Sequence, residues 1–202
     1  MRYAKINELD VTNGKGLGIS IFVQGCDLHC KGCFNQETWD FNGGKEFTNE
    51  ILNEILELLN KPYITRLTIL GGEPLAKENV EGVLLIVQMV KEIFPDKKIW
   101  LYTGRTIYGE FYKPTEDDEA NLLLFILEEQ KYFDKNEPKR FLENFDFLSK
   151  QLNILTYVDY IVDGRYIESQ RDLTLAFRGS TNQRIIDVKE TFKNKEITLL
   201  KE

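Results

Sequence analysis

Ile19-Ser20-Ile21-Phe22-Val23-Gln24-Gly25-Cys26-Asp27-Leu28-His29-Cys30-Lys31-Gly32-Cys33-Phe34-Asn35 passes from a compact β-rich run into a polar loop. The loop holds all three cysteines of the chain and its only histidine. Cysteine used only for packing is scattered among apolar runs. Here the neighbours are Gly, Asp, His, Lys and Gly, so the loop can wrap three sulfurs around one inorganic group. Ile19 to Val23 reads as a strand that delivers the cysteines at its C-terminal end. In parallel α/β sheets, ligands bind at that end.

Thiolates bind zinc or iron–sulfur clusters. A structural zinc site takes four ligands, in two pairs separated by a loop, and this chain has no second pair. His29 is the one candidate fourth ligand, but it adjoins Cys30, and adjacent side chains point in different directions. A disulfide would leave one thiol over. A four-iron cluster takes four cysteines, so three would leave one iron open for chemistry. The ligand count places a cluster with an open iron first, zinc second, and redox or incidental thiols behind them.

The chain has 202 residues, enough for one domain with a sizeable core. Hydrophobic residues make up 42% and charged residues 29%, the balance of a soluble globular protein. A net charge of −7 argues against a general nucleic-acid binder, and no apolar run is long enough to span a membrane. The first ten residues lack the apolar core of a signal peptide. Clustered thiols without a disulfide framework fit a reducing cytoplasm.

Outward from the cysteine loop, the pattern alternates. Residues 1 to 18 lead in. Their Gly-rich Asn13–Gly18 lacks a Walker ending and is not followed by a helix, so it reads as a turn feeding a strand. Asn49 to Leu59 carries Ile51, Leu52, Ile55, Leu56 and Leu59 on one stripe, which predicts a helix ended by Pro62. Arg66 to Leu70 is a strand running into Gly71-Gly72-Glu73-Pro74, where two glycines permit close backbone approach. Asn79 to Phe94 is a second helix, and Leu85, Ile86 and Ile93 widen its stripe as if it were buried on more than one side. Lys98 to Tyr102 is the next strand and ends in Thr103-Gly104. This βαβαβ order predicts a largely parallel sheet with right-handed crossovers.

The pattern then loosens. Residues 117 to 131 and 138 to 151 are helical candidates. The acidic run Glu116–Glu119 suits a solvated helix start. Strands are expected at Tyr157–Val162, Leu173–Phe177, Arg184–Val188 and, shortly, Ile197–Leu200, with a polar hairpin-like loop at Arg178–Gln183.

Several strand ends now converge on one resemblance. Cys26-x3-Cys30-x2-Cys33 resembles the signature of radical S-adenosylmethionine (SAM) enzymes, and Gly71-Gly72-Glu73-Pro74 resembles their SAM-binding motif. Asn13-Gly14-x-Gly16, Phe22–Cys26, Cys33-Phe34-Asn35, Thr38-Trp39, Trp100-x-Tyr102-Thr103-Gly104, Val162-Asp163-Gly164 and Arg178-Gly179-Ser180-x-Asn182-Gln183 are similar to the anaerobic ribonucleoside-triphosphate reductase-activating proteins. The resemblance covers residues 8 to 104 and 157 to 188. It implies a short, incomplete radical SAM (β/α) barrel, α/β in class, with a C-terminal β-rich segment. The chain would be a single domain over 1–202 with a helical insertion at about 105–152.

The resemblance also implies roles. Cys26, Cys30 and Cys33 would each hold one iron of a [4Fe-4S] cluster, with SAM on the fourth iron. The backbone of Gly71, Gly72 and Glu73 would receive the SAM ammonium. Gly32, Cys33 and Phe34 would lie near the adenine, Thr103 and Gly104 near the ribose, with Asp163 and Asn182 as weaker candidates. An electron from an external donor, such as a flavodoxin-type protein, would cleave SAM to a 5′-deoxyadenosyl radical. That radical would take hydrogen from a glycine Cα on the anaerobic reductase large subunit. No nucleic acid or membrane is expected as a partner, and the location is expected to be cytoplasmic. Only three cysteines leave no ligand set for an auxiliary cluster. Another glycyl-radical enzyme as partner, or a non-catalytic zinc-stabilised module, are the alternatives. Two features depart from the family: Gly18 stands where an Arg is usual, and the segment 105–152 is longer than expected.

Overall fold

The computed structural model describes residues 1–111, 123–127 and 138–201, of which 108–111, 123–127 and 138–145 are described as backbone alone. In chain order the elements are β1 (Arg2–Asp10), β2 (Gly18–Val23), β3 (Lys45–Glu46), α1 (Asn49–Leu59), β4 (Arg66–Gly71), α2 (Val80–Ile93), β5 (Lys98–Tyr102), β6 (Ile107–Phe111), β7 (Leu123–Leu127), α3 (Pro138–Tyr157), β8 (Tyr160–Asp163), β9 (Arg184–Asp187) and α4 (Val188–Asn194). Seven strands form one sheet in the order β3-β1-β2-β4-β5-β8-β9. The four central strands, β2, β4, β5 and β8, are parallel, and antiparallel strands flank them on both sides. β3 and β9 stand at opposite edges, so the sheet does not close: this is the incomplete barrel that the resemblance implied.

Strand residues alternate between the two faces. Leu67, Ile69, Leu101, Ile161 and Ile186 point to the helical side and join one core with Leu52, Ile55, Leu59, Val83, Val87, Ile154 and Leu155. α1 is amphipathic as its spacing predicts. α2 is buried through Val80, Val83, Ile86, Val87 and Val90 only. Leu85 and Ile93, expected to be covered, are 40% and 47% exposed: at 100° per residue Leu85 falls opposite Val83, whereas Ile93 shares the side of Ile86 but is the last residue of the helix. Asp159, just ahead of β8, joins three elements by accepting from Lys91 Nζ (2.6 Å), Lys98 Nζ (2.9 Å) and the Ile99 amide (2.9 Å).

The opposite face carries Arg66, Thr68, Trp100, Tyr102 and Tyr160. Trp100 packs on Tyr160 (4.7 Å between centroids) and on Phe177 (5.3 Å). The Gly-rich stretch is the predicted turn, and it also covers this face. Thr68 Oγ1 donates to the Asn13 carbonyl (2.7 Å), and a Cβ on Gly14 would stand 2.9 Å from Trp100 Cδ2.

Other expectations are corrected. Residues 2–10, given above only as a lead-in, form a strand, because pairing with β2 supplies a partner for their backbone. Leu123–Leu127 is a strand, paired antiparallel with β6, where a helix over 117–131 was expected. A short continuous apolar run cannot be assigned to helix or strand from its period alone. The remainder of that candidate, the acidic run Glu116–Glu119 included, lies outside the described residues. The second candidate is α3, which continues to Tyr157, so the next strand begins only at Tyr160. Leu173–Phe177 is a turn: Phe177 has φ 58°, incompatible with a strand, and Leu173 is 71% exposed. Ile197–Leu200 contributes only a single bridge, Leu199 to Ile186. Val188, expected to end a strand, starts α4, whose N-cap Asp187 accepts from the Glu190 amide (3.0 Å).

Candidate active site

β2 delivers the chain to the sheet's C-terminal edge, where Gln24 pins the outgoing loop. Its buried Nε2 donates to the carbonyls of Asp40 (2.8 Å) and Glu37 (3.1 Å). The Gly25 amide donates to Thr38 O (2.8 Å) and the Cys26 amide to Trp39 O (3.1 Å). The loop therefore closes on itself, and the buried Thr38 Oγ1 donates to Asn35 O (2.7 Å) within it. Inside it, the Cys33 amide donates to Cys30 O (3.1 Å) in a tight turn. Cys26, Cys30 and Cys33 are all free thiols and half-buried. His29 lies on the exposed side with φ 46°, its ring against Trp39 at 4.8 Å. It is a loop residue packed on an indole.

Burial pushes the Cys26 thiol up to about 11, against the Leu28 and His29 amides, with the charges of Glu73 and Asp27 adding to the rise. Burial and then the Cys33 charge raise Cys30. Binding a metal group here must displace protons. Among the described residues, no three His, Cys, Asp or Glu side chains converge on a position for one metal ion.

β4 brings the second loop against the first. The Gly72 amide donates to Val23 O and the Glu73 amide to Gly25 O, both at 2.8 Å. The Asn79 Nδ2 bridges Glu73 O (3.0 Å) and Gly25 O (3.4 Å). A Cβ on Gly72 would stand 2.3 Å from Gly25 O, a backbone atom that cannot swing away. So Gly72 is required by the contact between the two loops themselves.

Glu73 is 1% exposed, and its carboxylate accepts three hydrogen bonds: from Leu75 N (2.9 Å), Thr103 Oγ1 (2.7 Å) and Gly104 N (2.8 Å). Burial raises its carboxyl, opposed by the charge of Arg105 and by these donors. Thr103 thus joins the site as a partner of Glu73.

Phe34 lies between Tyr166 (5.0 Å between centroids) and the Arg171 guanidinium (5.2 Å), while remaining 52% exposed. Gly32 adjoins the Glu168 side chain, which pairs with Lys31 at 3.2 Å. The weaker candidates serve the framework. Asp163 accepts from the Arg184 guanidinium and from the Ile107 amide (2.9 Å). Asn182 donates to Arg165 O (2.8 Å) and accepts from Ser180 Oγ (2.7 Å).

The structure therefore places Cys26, Cys30, Cys33, Gly71, Gly72, Glu73 and Thr103 at adjoining strand ends. Sequence reasoning passed over Asn79, which ties two loops, and the pair Asp27–Arg105. Their signal was present as opposite charges, one inside the cysteine loop and one directly after Thr103-Gly104.

Comparison with known proteins points to one family. Residues 12–143 and 139–186 match the family model described as "4Fe-4S single cluster domain". The chain is 35% identical over 185 residues to the anaerobic ribonucleoside-triphosphate reductase-activating protein of Vibrio cholerae, covering 91% of this chain and 96% of that protein. It is equally similar, 35% over 185 residues, to the protein of that name from Enterobacteria phage T4, covering 92% of this chain and 93% of the relative. The Escherichia coli K12 protein of that name is 29% identical, with 91% and 96% covered.

Proposed function

The chain belongs to the family of anaerobic ribonucleoside-triphosphate reductase-activating proteins, and from that premise we propose that it installs a glycyl radical on the large subunit of the anaerobic reductase with a [4Fe-4S] cluster and SAM. The observation that carries this reading is the 2.8 Å hydrogen bond from the Glu73 amide to Gly25 O. It joins the loop of three free thiols to the Gly-Gly-Glu turn. Cys26, Cys30 and Cys33 would hold the cluster, and a fourth iron would remain for SAM. When bound, the cluster would relay an electron from an external donor for the reductive cleavage of SAM that precedes hydrogen abstraction from the partner's glycine.

The chain's own residues bind and orient. Glu73 O is already used by Ala76 N and Asn79 Nδ2, so we assign the Gly71 and Gly72 carbonyls to the SAM ammonium. Phe34, held by Tyr166 and Arg171 with half its area free, is assigned to the adenine together with Gly32 and Cys33. Thr103, whose hydroxyl is committed to Glu73, would line the ribose region through its backbone. The whole chain would act as one radical SAM domain whose open side is closed by the protein substrate. A flavodoxin-type protein would be the electron donor, in a reducing cytoplasm. No helix among the described residues is long and apolar enough to cross a membrane.

The test is anaerobic reconstitution followed by electron paramagnetic resonance with and without SAM, and then incubation with the reductase large subunit. Four irons per chain, a SAM-dependent change in the reduced-cluster signal and a glycyl-radical doublet on the subunit are expected. Stoichiometric zinc without iron or sulfide would overturn the cluster assignment. SAM cleavage with no radical on that subunit would redirect the activity to another glycyl-radical enzyme.

A further inference from the structure

The turn after β5 touches the cysteine loop at two points. Leu28 packs over Gly104, where an added Cβ would stand 2.3 Å from Leu28 Cδ1. One residue on, the Arg105 Nη2 donates to both carboxylate oxygens of Asp27, at 3.0 and 3.3 Å. Asp27 is directly bonded to Cys26 in the chain. Arg105 is itself built in: its side chain is 4% exposed, its amide donates to Thr103 Oγ1 (3.1 Å) and its carbonyl accepts from Gly164 N (3.1 Å). The same turn holds the Glu73 carboxylate through Thr103 and Gly104.

We propose that Thr103-Gly104-Arg105 is the anchor that sets the position of the cysteine loop, with Arg105 the positioning residue that holds Asp27 and, through it, Cys26. This rests on the activase reading for what the loop carries, but the anchoring is a property of the protein alone. The half-exposed Asp27 would give an ordinary surface ion pair little strength. Here one partner is fixed in advance, so little side-chain entropy is lost on pairing, and one Nη2 reaches both carboxylate oxygens. Leu28 on Gly104 fixes the next residue along, so the Cys26–Cys30 arm is located from β5, and the β4 loop from the same turn.

The test uses the metal-free full chain under anaerobic reducing conditions. Iodoacetamide labelling of Cys26 and Cys33 is followed by peptide mass spectrometry in the native chain, Asp27→Ala, Arg105→Met and the double variant. Each single variant should speed Cys26 labelling about fivefold relative to Cys33, and the double variant no more than either single one, as for residues acting as one unit. Cys26 rates within twofold of native in both single variants would overturn the proposal, as would independent effects that multiply to about 25-fold in the double. Asp27→Ala also removes a charge that raises the Cys26 thiol, so the arginine variants decide. Arg105→Met, or Arg105→Lys if the former fails to fold, must speed Cys26 labelling, and no speeding in them would overturn the proposal. Failure of the native chain to take up iron would remove the activase reading while leaving the labelling result intact.

Discussion

Arg66 on β4 occupies the space that a side chain on Gly18 of β2 would need: a Cβ built there would stand 2.3 Å from Arg66 Cγ and 2.8 Å from its Nη1. The two residues are register partners on adjacent parallel strands. Arg66 is fully buried, donating to Asp10 O (2.8 Å) and Thr68 Oγ1 (2.5 Å) and pairing with the Asp10 carboxylate at 3.4 Å. A guanidinium thus fills the space beside position 18 from the neighbouring strand, and an arginine at position 18 is expected to be an equivalent source of it.

Removing Arg66 takes the paired cation from the buried Asp10 carboxylate. Arg66→Ala should cost about 3 kcal/mol of stability, the scale for breaking a buried ion pair from one side. The exchange Gly18→Arg with Arg66→Gly should recover part of that loss. Guanidinium unfolding of the native chain and both variants checks it, and an exchange variant no more stable than Arg66→Ala would reject the equivalence.

Asp10 makes stability acid-sensitive. Burial alone would push its carboxyl up, but hydrogen bonds from Ser20, Thr12 and Asn13 outweigh it and bring the carboxyl from 3.8 to about 2. Asp159 is lowered in the same sense: burial opposes the shift, and donors from Lys91, Ile99 and Lys98 prevail. A carboxyl lowered in the folded state contributes stability above its unfolded pKa and loses it as pH falls through the folded value. Unfolding free energy should therefore fall between about pH 5 and pH 2, and Asp10→Asn should flatten that slope. A slope unchanged in the variant would exclude Asp10 as a source.

Gly72 should couple the two loops of the site. Its missing Cβ makes room for Gly25 O, one residue before Cys26. Gly72→Ala is expected to reduce iron uptake as well as SAM affinity, in contrast to a residue that merely admits the ligand. Iron assays and calorimetric SAM titration on one preparation separate these outcomes. Lost SAM binding with full iron would return Gly72 to a pure ligand role.

Glu73→Gln keeps the shape but replaces an acceptor oxygen by a donor NH2, which must face Thr103, Gly104 or Leu75, all donors to the carboxylate. A loss of about 2 kcal/mol is expected from the unmade hydrogen bonds. Thermal unfolding of the metal-free chain measures it.

Cys30→Ala should abolish SAM cleavage while leaving thermal unfolding near native, because the thiol sits half-buried on a loop outside the core. Production of 5′-deoxyadenosine by the variant would contradict this.

The proposed ligand set can be read from the sequence because its spacing is local: three cysteines in one loop and a Gly-Gly-Glu turn need no distant partner to be recognised. α1, α2, β4 and β5 were legible for the same reason, since their periodicity is written within each segment. β1 was not, because its polar residues become a strand only by pairing with β2. Leu123–Leu127 became a strand only by pairing with β6. α4 carried a readable sign in Asp187 and Glu190, an N-cap with an acid three residues on.

By itself the sequence determined the chemistry offered: which thiols, which glycines and which strand ends. Only the tertiary structure decided what holds them in place. Arg105 meets Asp27 across 78 residues, Thr103 meets Glu73 across 30, and Arg66 meets Asp10 across 56. The first two pairs are set by the parallel register of β2, β4 and β5, which aligns their loops at one edge of the sheet, and the third by the antiparallel pairing of Asp10 with Gly18 beside Arg66 at the other edge. Register is a relation between distant segments, so no single stretch of the chain can display it.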